Sequence, residues 1–177
     1  MVPVTLARRA ALFAAVSAAS IAFDQWTKVL ATTYLKNHPP HIWLGDTFRL
    51  QYATNEGAFL SLGASLSPTA RYWVLIIGVG LLLAALSVYA LFSPKLDRFQ
   101  VGAYSLIASG GFANWIDRAR FDGLVVDFMN MGIGWLRTGV FNVADLAIMV
   151  GIGLLFLHSY RQDRAAKAAA AAQGPTS

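Results

Sequence analysis

At 177 residues, with 56% apolar residues, 13% charged residues and a mean hydropathy of +0.53, the chain is too apolar for an ordinary water-soluble globule. It is also too short for several membrane spans plus a separate soluble domain, so a single membrane domain is expected. The net charge of +5 comes from Lys and Arg scattered at the flanks of apolar runs, which reads as membrane anchoring and excludes a nucleic-acid stripe; no cysteine is present, so thiol chemistry and disulfides are excluded.

The first apolar run, about residues 10–30, follows Arg8-Arg9 and is interrupted only by Asp24 and Lys28. Ser17-Ala18-Ala19-Ser20 resembles a signal-cleavage region, but apolar character resumes beyond it, so a retained span is expected. In the connection that follows, Ile42-Trp43-Leu44, Gly45-Asp46 and Thr47 to Tyr52 read as a β-hairpin about a two-residue turn, with Phe48, Leu50 and Tyr52 forming an apolar face. This hairpin is expected to lie on the membrane surface as a small sheet platform. Three more spans are expected at about 72–92, 99–116 and 140–157, linked by a tight turn at Ser93 to Arg98 and by a glycine-bearing loop from Arg118 to Gly139. Residues 161–177 read as an Ala-rich cytoplasmic tail.

The expected fold is therefore an all-α integral membrane bundle of four transmembrane helices with a β platform in its first extracytoplasmic loop. Lys and Arg at the span ends divide seven to six between the two faces, and the clusters at both termini favour placing the termini inside.

Alternating spans bring the end of the first, the first loop, the end of the third, the third loop and the start of the fourth to one face. The unusual polar residues fall there: Asp24, Lys28, Asn55, Glu56, Asn114, Asp117, Arg118, Asp127, Asn142 and Asp145. Ionisable groups inside spans cost ~2.5–3.5 kcal/mol each and mark a site with a partner. Counted from Val140, Asp145 would lie about 7.5 Å below the start of its span, with Asn142 on the same face. Two carboxyls in one low-dielectric cleft share a proton near neutrality, as in aspartic peptidases.

Other residues have structural readings. Asp24 and Lys28 are spaced as a helical ion pair, Asp117-Arg118 as an interfacial pair, and Gly110-Gly111 as a close helix contact. The five tryptophans suit an interfacial belt. His38, His41 and His158 lack ligand spacing, so neither metal nor cofactor is expected.

The motifs Asp24-Gln25-Trp26-Thr27-Lys28, Asn55-Glu56-Gly57-Ala58-Phe59, Gly110 to Arg118, Val125-Val126-Asp127-Phe128 and Phe141-Asn142-Val143-Ala144-Asp145 together resemble the successive signatures of lipoprotein signal peptidase, the bacterial signal peptidase II, over about residues 8–160. Ala113 departs from the glycine expected before Asn114, and the spacing from Asp117 to Asp127 is about one residue longer than usual. The resemblance implies that Asp127 and Asp145 are catalytic, that Asn55, Gly57, Asn114, Arg118 and Asn142 line the substrate site, and that Asp24, Lys28, Gly110 and Asp117 support it. It also implies a diacylglyceryl prolipoprotein substrate, cut on the amino side of the lipidated cysteine at the outer face of the bacterial inner membrane. The expected partners are that substrate and membrane lipids, with a monomer as the assembly. A proton-coupled transporter using Asp145 and the Asp24-Lys28 pair is the main rival, and a non-catalytic assembly factor is another. The transporter predicts polar residues through the whole membrane depth, which the run at 72–92 lacks.

Overall fold

The computed structural model describes residues 5–56 and 67–172. Helix α1 spans Leu6–Tyr34; strands β1 (His41–Trp43) and β2 (Phe48–Asn55) follow. Helix α2 (Pro68–Arg71) runs through a π-helical segment, Tyr72–Gly78, into α3 (Val79–Phe92). Helix α4 (Arg98–Arg120), strands β3 (Val125–Ile133) and β4 (Leu136–Arg137), and helix α5 (Val143–Ala172) complete the chain.

Among the described residues, Leu6–Tyr34, Tyr72–Phe92 and Val143–Ala169 are long and apolar enough to cross a membrane. Their outward side chains, such as Phe23 and Val29, Leu81 and Leu82, and Met149 and Phe156, are exposed and apolar, as a lipid-facing surface requires. The fourth expected span, at 99–116, falls on the 23-residue helix α4, which is not among those three and packs against α1, α3 and α5. Its buried residues include Ala103, Ser105, Ala108, Ser109, Gly110, Ala113, Asn114 and Asp117, small or polar groups that lower its hydropathy while letting neighbouring backbones approach closely.

Gly110 shows how close that approach is. A Cβ there would lie 2.4 Å from the Ala144 carbonyl oxygen and 2.8 Å from Ile148 Cγ1, so α5 would have to move. Overpacking of this kind costs about 1–3 kcal/mol. Gly110→Ala is therefore expected to lower the melting temperature in detergent and to displace the first turn of α5, whereas Gly102→Ala on the same helix, where a Cβ meets nothing within 4 Å, should leave both unchanged.

At the opposite end of the bundle from the sheet, Asp97 caps α4 in a reciprocal arrangement with Gln100, through bonds of 2.8 and 3.1 Å. Arg9 is buried there and donates to the Ser93 and Leu96 carbonyls, tying the start of α1 to the turn after α3.

The sheet differs from the expected hairpin in two ways. Trp43 pairs with Phe48, so the turn holds four residues, Leu44 to Thr47; Leu44, Gly45 and Asp46 all have positive φ, a conformation that the composition of the turn does not reveal. The third loop supplies β3 and β4, giving an antiparallel sheet in the order β1-β2-β3-β4. The expected platform of one loop is thus a joint product of two.

Pairing between β2 and β3 shifts by one residue between Leu50 and Ala53. Continued from Leu50↔Met129, the register would set Asn55 opposite Leu124; the shift sets it opposite Val125, diagonal to Asp127. A one-residue slip exchanges the faces of a strand, so this irregularity decides that Asn55 shares a face with Asp127.

Candidate active site

The site begins at the start of α5. Phe141 exchanges two 2.8 Å backbone hydrogen bonds with Met129, extending β3 pairing up to the residue before the helix. Asn142 then caps α5: its Oδ1 accepts the Asp145 backbone N–H at 3.0 Å, and Asp145 Oδ2 accepts the Asn142 N–H at 3.0 Å. A third orphan donor of this helix start, Ala144 N–H, is accepted by Asp24 Oδ1 of α1 at 2.8 Å. Asp145 therefore sits in the first turn of α5, not 7.5 Å inside it, because residues 140–142 belong to the approach and not to the helix.

The other carboxyl, Asp127, lies on β3 and is 2% exposed. Its Oδ1 accepts Asn142 Nδ2 at 2.6 Å and its Oδ2 accepts Asn55 Nδ2 at 3.1 Å. Asn142, fully buried, thus touches both carboxyls, that of Asp145 through its backbone N–H and that of Asp127 through its amide nitrogen. Burial first, and the nearby Asp145 charge second, push the Asp127 carboxyl up to about 6, against the opposing hydrogen bonds from Asn55 and Asn142.

Beneath this pair lies a charged knot. Lys28 Nζ contacts Asp24 Oδ2 at 2.8 Å, Asp117 Oδ2 at 2.9 Å and Asn114 Oδ1 at 2.9 Å, and the two helices that supply these groups, α1 and α4, keep them buried. Asp117 also accepts Gln25 Nε2 at 2.8 Å and the Val126 N–H at 3.3 Å, which links α1 and α4 to β3. Asn114 joins the knot to the carboxyl pair, accepting Asn142 Nδ2 at 2.9 Å and donating Nδ2 to Asp145 Oδ1 at 2.9 Å.

Two openings are lined by neighbours of these residues, though by neither Asp127 nor Asp145 itself. A cavity of about 470 Å³ between the π-helical segment and the end of α4 is lined by Tyr72, Ile76, Trp115, Arg118, Asp122 and Gly123 among others. Arg118 feels the charges of Asp127, Asp145 and Asp117, so this cavity and the pair are electrostatically joined. Trp115 Nε1 donates to the Ile76 carbonyl at 2.8 Å, within the π-helical segment on the cavity wall. A second, apolar groove of about 260 Å³ runs between α1 and the sheet, lined by Leu30, Tyr34, Leu35, Leu50 and Phe128, the neighbour of Asp127 in sequence.

Of the residues singled out from the sequence, Asp24, Lys28, Asn55, Asn114, Asp117, Asp127, Asn142 and Asp145 thus form one continuous polar network, with Arg118 at its edge and Gly110 against the α5 turn. Gly57 lies outside the described residues. Gln25 was not singled out, although it stands inside a quoted motif and bonds Asp117. Among the described residues no group of three or more His, Cys, Asp and Glu side chains is placed to hold a metal ion.

A helical frame with membrane-length apolar helices, capped by an antiparallel sheet over a carboxyl pair of which Asp127 is buried, defines a membrane enzyme. A bacterial membrane enzyme solved by the in meso method at 2.3 Å resolution shares this fold with a TM-score of 0.71 and 25% identity, over 85% of this chain and 88% of that one. A second such structure, at 1.9 Å, matches with a TM-score of 0.68 and 26% identity, over 82% and 90%.

The family model for Signal peptidase (SPase) II matches residues 16–161. The lipoprotein signal peptidase of Thermosynechococcus vestitus is 38% identical over 144 residues, covering 80% of this chain and 86% of the relative. That of Sphingopyxis alaskensis is 39% identical over 141 residues, covering 77% and 79%. The chain belongs to the signal peptidase II family and is a membrane-bound peptidase.

Proposed function

We propose that the chain is an aspartic endopeptidase of the bacterial inner membrane that removes signal peptides from diacylglyceryl-modified prolipoproteins, cutting on the amino side of the lipidated cysteine. The observation that carries this reading is the bracketing of Asp127 and Asp145 by the single buried residue Asn142, with Asp127 pushed up to about 6. With Asp127 pushed up to about 6, such a pair holds one proton below about that pH. One carboxylate draws a proton from water as the water oxygen attacks the scissile carbonyl, and the other carboxyl gives its proton to the carbonyl oxygen. Collapse of the resulting diol returns a proton to the departing cysteine nitrogen, so the net change is addition of one water across the peptide bond.

In this reading α4 is a fourth span, the termini are cytoplasmic and the sheet lies at the outer face. A lipidated cysteine is then tethered at the level of the pair, with the apolar groove beside Phe128 and the cavity beside Arg118 available to its flanking groups. The enzyme works as a monomer without metal or cofactor.

The test is a reconstituted cleavage assay using one prolipoprotein with and without its diacylglyceryl group, read by mass spectrometry. The lipidated form should be cut at the cysteine and the unlipidated form should not. Equal cleavage of both, or a cut elsewhere, removes the substrate assignment.

A further inference from the structure

The role that the resemblance implies for Asn114, lining the substrate site, does not match its surroundings. The residue is 8% exposed, and both ends of its amide are occupied inside the protein. We propose instead that Asn114 is a positioning residue that holds Asp145 as the base of the carboxyl pair, with Lys28 dictating which end of the amide faces it. This inference rests on the aspartic reading above and assigns the two carboxyls their separate parts.

The orientation of the amide follows from its partners. Lys28 Nζ, 2.9 Å away, can only donate, so the atom facing it is the amide oxygen. Asn142 is fixed independently: its oxygen accepts the Asp145 backbone N–H, a donor that cannot turn, so its NH2 group is what meets Asn114 at 2.9 Å. With its oxygen claimed by two donors, Asn114 must present NH2 to Asp145 Oδ1. Reversing the amide would set it against both an ammonium and a second NH2 group.

Asp145 consequently receives a donor on each oxygen, Asn114 Nδ2 on Oδ1 and the Asn142 N–H on Oδ2. Neither partner can accept a proton, so these two contacts suit a carboxylate and not an acid. Donation by Lys28 to the amide oxygen polarises the amide and strengthens its bond to Asp145. Asp127 also meets an amide donor on each oxygen, from Asn55 and Asn142, but it is buried whereas Asp145 is only partly so, and burial disfavours the charged form; Asp127 is therefore the member that carries the proton. Asp145 then takes the proton of the attacking water, and Asp127 gives its own to the carbonyl oxygen.

Asn114→Asp and Asn114→Leu, made in the full chain and assayed with the diacylglyceryl prolipoprotein, test this. In Asn114→Asp the new carboxylate keeps accepting from Lys28 and Asn142 but offers Asp145 only lone pairs; kcat should fall about 100-fold, with KM within about threefold. Wild-type kcat in this variant would show that Asp145 donates toward position 114, and would overturn the inference. Should the added charge prevent folding, Asn114→Leu brings none. Its kcat should fall by about tenfold or more, and the acid limb of the kcat–pH profile should move to higher pH, a movement that a purely structural residue would not cause. An unmoved acid limb overturns the inference. Asp127→Asn and Asp145→Asn separate the two levels: turnover in either removes the aspartic reading itself, whereas loss in both beside a wild-type Asn114→Asp removes only the part given to Asn114.

Discussion

Asp127→Asn and Asp145→Asn are each expected to leave an inserted, folded protein whose turnover of a diacylglyceryl prolipoprotein is at least about 10³-fold below wild type. The amide has nearly the size of the carboxyl but can neither take a proton from water nor give one to a carbonyl oxygen. Thermal melts beside the cleavage assay separate a lost reaction from a lost fold, and measurable turnover in either folded variant removes the assignment. The pH dependence follows from Asp127. Its carboxyl is pushed up to about 6, so it keeps its proton below that value and loses it above. Activity that needs this proton is present on the acid side and declines on the alkaline side. In free enzyme kcat/KM should therefore fall about tenfold per pH unit beyond about 6. Bound substrate excludes water, which adds to the burial that is already the largest cause, so the alkaline limb of kcat should lie at higher pH than that of kcat/KM. Coincident limbs, or a kcat/KM that stays flat across the neutral range, would show that Asp127 is not the proton carrier.

Lys28→Met is the substitution with the largest expected effect on stability. A single ammonium lies 2.8 Å from Asp24 and 2.9 Å from Asp117, with both carboxyls almost wholly buried. Methionine fills similar space but strands two carboxylates, and removing one partner of a buried ion pair costs about 3–5 kcal/mol. For a chain of this length that corresponds to a fall in melting temperature of order 10 °C. Adding Asp24→Asn to Lys28→Met should recover part of the loss, because one stranded charge disappears. A melting temperature for Lys28→Met within about 2 °C of wild type would mean that these carboxyls are not held as anions.

The helices were legible because an apolar run of span length admits few other structures, and the run at 72–92 contains no charge. The gathering of polar residues at one end was legible for the same reason: alternation of spans leaves little choice of face. The sheet was only half visible. Phe48, Leu50 and Tyr52 alternate with polar neighbours, whereas β3 opens with four buried residues, Val125 to Phe128, and so shows no alternation to read. Its partner β2 also comes from a loop some seventy residues earlier, and local spacing carries no trace of such a pairing. Helix α5 starts later than the apolar run suggests, because Val140 and Phe141 are apolar and extend that run although Phe141 pairs with Met129. For Asn114 the residue type suggested a polar contact; that its amide is clamped between Lys28 and Asp145 depends on three chain segments meeting, which no window of sequence contains.

The pairing of β2 with β3 also constrains how the protein comes into being. A ribosome makes β2 early and the Asp145 turn of α5 almost last, with α3 and α4 synthesised between them. Until α5 has emerged, Asn142 is absent, Ala144 cannot engage Asp24, and Asp127 lacks the amide that holds it. A half-made chain therefore lacks the contacts that bring Asp127 and Asp145 together. The cluster closes only when the last of its helices has been added.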